Sequence, residues 1–395
     1  MLIKEKNQII LDKIIELLEL PESAYNKATK RYEDLGDWFD RDESLLKDNN
    51  PHIFPQGSFM LGTAIRPLAE NEEYDLDLVC KLRDGITKDS HTQESLKKLI
   101  GQELEFYRKA RGIKEELISK HRCWCLEYQD ELCFHIDIVP CIPEDEKKRS
   151  LILESMRKSG TEEFVASFAS QTTVSITDDR HEGYKHICSD WNISNPEGYA
   201  KWFEHRMNLN QMSILLEKAQ VDELPLFKRK TPLQRCIQLL KRHRDQMFGK
   251  NESKPISIII TTLAAKAYNG EKDVESALRN ILSQMGELVN PSAPRVPNPV
   301  DPDEDFADKW AMPKYRHLNL EQNFYNWIQQ AQSDIHHITS TTDIAFITEQ
   351  AQQKFSLKIN DVLLAKRIGV NLATVSVVTP KVHSISEPAK PWQKD

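Results

Sequence analysis

Residues 74–82 read Tyr-Asp-Leu-Asp-Leu-Val-Cys-Lys-Leu, and this alternation of acid and hydrocarbon constrains the fold more than any other stretch. Successive side chains of a strand point to opposite faces, so Asp75 and Asp77 share one face while Leu76 and Leu78 enter a core on the other. Two carboxylates side by side repel each other. An edge strand with both acids in water tolerates that. Otherwise the pair calls for a cation, and a hard ion such as Mg²⁺ prefers carboxylate oxygens and substrate phosphates. His135-Ile136-Asp137-Ile138-Val139 has the same pattern, with the isoleucines facing one way and His135 and Asp137 the other. If the two strands are neighbours, three carboxylates meet on one sheet face. Such a set can hold two Mg²⁺ ions about 4 Å apart, the arrangement for in-line phosphoryl or nucleotidyl transfer. A triphosphate and its leaving pyrophosphate would sit on one ion and an attacking hydroxyl on the other, with Asp137 as acceptor of the hydroxyl proton.

Upstream lies Gln56-Gly57-Ser58. A strand enters, Gly57 permits a tight turn, and a helix is predicted to follow. A turn of this kind offers N–H groups and the Ser58 hydroxyl to a phosphate, although a lone Gly-Ser pair is most often an ordinary turn. The ordered set of Gly-Ser, then the Asp75/Asp77 strand, then the Asp137 strand is far more specific than any part. It resembles the signature of the polymerase-β-type nucleotidyltransferases.

Around these motifs the chain changes texture. Residues 1–48 carry apolar positions at helical spacing. From 53 to 142, short runs rich in β-branched and aromatic residues predict strands, with a helix over 92–110 between the second and third. A further polar strand region is expected over 174–191. From Asn195 the pattern is helical, interrupted by a loop at 290–313 that holds six prolines and an acidic cluster. The tail from 377 reads as flexible. The expected fold class is α+β, with a mixed-sheet lobe followed by a helical lobe.

Composition narrows the partners. Over 395 residues the formal net charge is −8, which argues against a broad nucleic-acid surface but leaves room for a local basic pocket. No stretch approaches the roughly 20 apolar residues of a membrane span. Seven scattered cysteines point to reduced thiols in the cytoplasm. Cys123 and Cys125 would share one sheet face, and they read better as small buried residues than as zinc ligands.

The segments PQGSFMLGTAIRPLAENEEYDLDLVCKL and FHIDIVPCIP resemble the bacterial cGAS/DncV-like nucleotidyltransferases, the CD-NTases, which are relatives of animal cyclic GMP-AMP synthase and oligoadenylate synthetase. The helical half is similar in kind through SNPEGYAKWF, LLKRHRD and NPVDPDEDFADKW, so the likeness covers about residues 50–320. It implies a two-lobed polymerase-β-like fold whose helical lobe is similar to that of oligoadenylate synthetase. The expected catalytic lobe with its N-terminal helix spans 1–200, the helical nucleotide-binding lobe 201–376 and a flexible tail 377–395. The resemblance implies that Gln56, Gly57 and Ser58 hold the donor triphosphate, that Asp75, Asp77 and Asp137 bind two Mg²⁺ ions (Mn²⁺ substituting), and that Lys241 and Ser257 contact phosphate. Residues 228–244 carry seven basic side chains that would face the triphosphate. Tyr199, Trp202 and Tyr268 are candidates for stacking on a base, though each reads more readily as core. The implied activity joins NTPs, ATP among them, into a cyclic di- or trinucleotide messenger in antiphage defence of the CBASS type, with an accessory protein or a product-coupled effector as partner. Transfer to an RNA end or to a small acceptor is the alternative. The zinc-binding insertion of the animal DNA sensor is not recognisable.

Overall fold

The alternating acid stretch does form a strand, and its apolar face builds the first core. The structure, a computed structural model, describes residues 3–68, 73–129, 133–209, 230–341 and 343–369. One mixed sheet is made of β1 (Pro51–Pro55), β2 (Tyr74–Leu82), β3 (Ile118–Ser119), β4 (Trp124–Tyr128), β5 (Phe134–Pro143), β6 (Val174–Ile176) and β7 (Asn192–Ser194). Its order is β1-β2-β5-β4-β3. β5 runs parallel to β2 and antiparallel to β4. β6 takes the far end of β5 and carries β7. Leu76, Leu78, Ile136 and Ile138 point into one core, covered by helices Glu22–Asp40 and Gln93–Ala110. The second helix starts where the Thr92 hydroxyl accepts from the Ser95 N–H at 3.0 Å, an N-cap that satisfies one orphan donor.

A second core belongs to the helices. Helix Pro232–Phe248 begins with a capping box between Thr231 and Gln234, with Pro232 in the first turn where its missing N–H costs little. Its apolar face meets helices Ser257–Ala267, Val274–Gln284, Leu320–Ser340 and Ile344–Phe355. The amphipathic helix Ile3–Leu18 buries Ile10, Leu11, Ile14, Ile15 and Leu18 in this same core. Chain order had grouped it with the strand-bearing half, but its contacts are with the helical lobe. Ile152, Val165 and Trp202, all within the first 202 residues, also join the helical core. Packing therefore does not divide the chain at residue 200.

Two expected elements differ. The polar strand predicted over 174–191 is only three residues long (β6), because Asp178 ends it by pairing with Arg122 and Arg180, and turns follow to β7. The irregular loop at 290–313 contains a short hairpin, Pro297–Asn298 with Asp301–Asp305. The tail at 377–395 and part of the basic run, residues 228 and 229, lie outside the described residues. All seven cysteines are free thiols. Among the described residues, no helix is long and apolar enough to cross a membrane.

Candidate active site

The parallel register of β2 and β5 sets Asp77 directly beside Asp137, and Asp75 beside His135. The three carboxylates therefore share one face, as the alternation requires. Asp77 is half-buried. Desolvation, followed by the charges of Asp75 and Asp137, pushes its pKa up to about 6. Asp75, more exposed, is also raised, first by desolvation and against the pull of His135. A site that disfavours the charge of its own acids is short of positive charge. That deficit, with three oxygen donors side by side, fits a hard divalent cation.

Asp137 differs from its neighbours. Burial pushes it up, but hydrogen bonds from His135 and Lys120 outweigh that and hold it at about 2. The Lys120 ammonium lies 2.9 and 3.0 Å from the two carboxylate oxygens, and His135 Nε2 lies 3.0 Å away. Lys120 is placed by Lys97 of helix Gln93–Ala110, whose ammonium donates to the Lys120 carbonyl. Cys125, opposite Asp137 on β4, brings its sulfur 3.2 Å from His135 Nε2.

The Gly-Ser turn closes over the acids. The Gln56 N–H donates to the Asp77 carbonyl at 2.8 Å, which ties the turn to β2. Gly57 has φ +61, and a Cβ there would lie 2.6 Å from an Asp77 carboxylate oxygen, so only glycine fits. The short helix Gly57–Met60 follows, as predicted. The Ser58 carbonyl then accepts from the N–H groups of Thr63 and Ala64.

The opposite wall comes from helix Pro232–Phe248. Its Gln234, Gln238, Lys241 and Arg242 lie at i, i+4, i+7 and i+8, hence on one face. They donate in turn to the carbonyls of Leu61, Ala64, Thr63 and Arg66. Lys241 reaches Thr63 at 3.0 Å, and burial, then the Arg244 charge, lowers its pKa to about 8. Arg244 donates to the Ser257 hydroxyl at 2.8 Å and pairs with Asp245. Because the Ser257 oxygen accepts there, its own O–H is free to donate elsewhere. Between the walls lies a cleft of about 650 Å³ lined by Gly57, Ser58, Asp75, Asp77, Lys241 and Ser257.

Residues 51–140 match the family model described as the nucleotidyltransferase domain of cyclic GMP-AMP synthase DncV-like proteins. A c-di-GMP synthase of Roseivirga ehrenbergii is 29% identical over 330 residues, covering 80% of this chain and 77% of the relative. The cyclic dinucleotide synthase CdnG of Bradyrhizobium diazoefficiens is 24% identical over 304 residues, 74% of this chain and 67% of its own. The solved structure of that CdnG, in complex with GTP, superposes with a TM-score of 0.62 at 20% identity, covering 92% of this chain and 98% of the other. Residues 51–140 thus carry a DncV-like nucleotidyltransferase domain, and most of the chain is similar to the cyclic dinucleotide synthases. The protein is a nucleotidyltransferase with a two-lobed, polymerase-β-like α+β fold.

The cleft brings together most of what the motifs singled out and redistributes the rest. Of the basic run, Lys241 and Arg244 line the cleft, whereas Lys230 pairs with Glu19, Arg235 with Asp12, and Arg242 holds backbone carbonyls. The expectation that the run as a whole faces a triphosphate is therefore corrected: three of its five described Lys and Arg residues are tied into the fold instead. Lys250 and Lys254, in the loop after the helix, join the cleft lining instead. Tyr199, Trp202 and Tyr268 are buried core residues, and the Tyr199 hydroxyl is paired with Thr262. The motifs did not reveal Lys120, Lys250 or Lys254.

Proposed function

We propose that this enzyme condenses two NTPs, GTP among them, into a cyclic dinucleotide, and that it does so in the cytoplasm as the signal synthase of a CBASS-type antiphage system. The carrying observation is the three-carboxylate face under a glycine-only turn, across a cleft from buried Lys241 and Arg244. The two curated relatives, both named as cyclic dinucleotide synthases, favour this product over an RNA tail or a small acceptor. Asp75, Asp77 and Asp137 are the residues that would hold Mg²⁺ or Mn²⁺, which when bound would neutralise phosphate charge and acidify an attacking hydroxyl.

The rest is assigned to this chain's own groups. Gln56, Gly57 and Ser58 form the floor against which a triphosphate lies. Lys241 commits one of its three N–H donors to Thr63 and keeps two for phosphate oxygens. A polyanion beside it would raise its lowered pKa again, so it binds as a full cation. Ser257, its oxygen already engaged by Arg244, donates its proton to the same ligand. A carboxylate held near 2 is a weak proton acceptor, so Asp137 serves as an anionic anchor while Lys120 touches it and as a base only once Lys120 turns away.

The test is to incubate the purified full chain with Mg²⁺ and NTPs and analyse the product by mass spectrometry. A phosphatase-resistant cyclic dinucleotide is expected. A linear RNA extension or a nucleotidylated small molecule in its place would overturn the reading.

A further inference from the structure

Beside the three acids stand Cys125 and His135, which the proposed reaction does not use and which share Asp137 with it. Cys125 on β4 and His135 and Asp137 on β5 project from one face of an antiparallel pair. Their ligand atoms all lie within 4.8 Å of one another. The Cys125 sulfur is 3.2 Å from His135 Nε2, and that nitrogen is 3.0 Å from an Asp137 oxygen. A tetrahedral ion with bonds of roughly 2.0–2.3 Å spaces its ligand atoms about 3.3–3.8 Å apart, so the two separations that involve His135 need shifts of only a few tenths of an ångström. The other imidazole nitrogen, Nδ1, lies 3.8 Å from both the Glu73 and the Glu127 carboxylates. Either carboxylate would need to close by several tenths of an ångström to accept its N–H, the contact that fixes ring orientation in metal centres. Cys123, just before β4, interacts with Asp137 and offers a further sulfur.

We infer that Cys125, His135 and Asp137 form a binding site for a borderline-soft divalent cation, Zn²⁺ in chemical class, and that its occupation switches the nucleotidyltransferase off by capturing Asp137. Thiolate, imidazole and carboxylate together select zinc over magnesium. Binding converts the Cys125 thiol to thiolate and releases its proton to solvent. It also displaces the Lys120 ammonium, which now occupies the space between His135 and Asp137. Lys120 can leave, because its side chain is 37% exposed. The ion and the lysine are thus rivals for one carboxylate. The inhibitory consequence rests on the activity proposed above, but the binding site does not.

Co²⁺ serves as the spectroscopic probe. Titrating the nucleotide-free full chain should produce a thiolate-to-cobalt charge-transfer band that Zn²⁺ abolishes and Mg²⁺ does not. Cys125→Ser should weaken Co²⁺ binding by at least about 100-fold, beyond what loss of an outer partner costs. His135→Gln should do the same, and equal melting temperatures check that both variants fold. Lys120→Ala should tighten Co²⁺ binding about tenfold, the worth of one charge-assisted hydrogen bond removed from competition. Asp75→Ala/Asp77→Ala should leave the band in place. In turnover assays with saturating Mg²⁺, Zn²⁺ should inhibit the wild type, and Cys125→Ser should need at least about tenfold more. Absence of the band, or a band lost with Asp75 and Asp77 but kept in Cys125→Ser, would overturn the site. Because the band is read without turnover, failure of the metal site and failure of the proposed activity are told apart.

Discussion

On the sheet side of the cleft, Asp75 and Asp77 have pKa values raised first by desolvation and then by neighbouring carboxylates, Asp137 for both and Asp75 for Asp77. On the helical side, Lys241 holds the Thr63 carbonyl, and Arg244 holds Ser257, Asp245 and the Pro255 carbonyl. One wall is short of counter-charge, while the other has its charge tied into the fold. The acids are thus poised for an ion at a cost to stability, whereas the bases act as scaffold and binding group together. Mutations on the two walls should therefore separate stability from activity in opposite ways.

The largest effect is expected for Asp75→Ala/Asp77→Ala. Loss of metal-assisted charge stabilisation should lower the rate by on the order of 10³-fold or more. Thermal melting should show no loss of stability, and a variant that still makes product would break the account of the acid wall. Gly57→Ala comes next. The Cβ would meet the Asp77 carboxylate at 2.6 Å, and a displacement near 1 Å at reacting groups costs on the order of 100-fold in kcat/KM. A Gly57→Ala enzyme with unchanged kinetics would show that the turn does not set the position of Asp77.

On the other wall, Lys241→Met should raise the KM for NTP and also destabilise the protein, by about 1–3 kcal/mol, because the buried Thr63 carbonyl loses its donor. Gln238→Ala should match that loss of stability by stranding the Ala64 carbonyl, with a smaller change in KM. Chemical denaturation and steady-state kinetics check both. A Lys241 variant that loses stability alone would reduce that residue to scaffold.

The smallest effect is a pH dependence. Asp77 has a folded pKa near 6, above its ordinary value of 3.8. Its contribution to stability is therefore fully present below about 3.8 and is lost as pH rises through about 6. After discounting for partial exposure, that loss is on the order of 1 kcal/mol. Asp77→Asn should melt above the metal-free wild type at pH 7.5 but not at pH 4, and Mg²⁺ should raise only the wild type. Equal pH profiles would mean that the acid wall is not strained.

The acid wall was legible because a period of two carries its own geometry: Asp75, Asp77 and Asp137 needed only the pairing of β2 with β5. The Gly57 turn was legible for a similar local reason. Lys120 was not, since its position depends on Lys97 gripping its carbonyl from a helix more than 20 residues away. Cys125 was readable in principle. Folding the two strands about the polar residues between them sets it opposite Asp137, yet an apolar reading of Cys-x-Cys passed over this. For helix Ile3–Leu18 the apolar stripe foretold burial but not which core would take it. Gln234 and Gln238, polar groups on a buried helix face, were an unused sign that the helix docks on backbone.

That docking has an evolutionary corollary. Gln234, Gln238, Lys241 and Arg242 hold residues 61–67 by donating to main-chain carbonyls, while Ile65, Arg66, Pro67 and Leu68 line the cleft. Every amino acid presents the same carbonyl, so the clasp is blind to what those side chains are. Lineages can rewrite this edge of the cleft, and with it the fit to one nucleobase or another, without renegotiating how the lobes are joined.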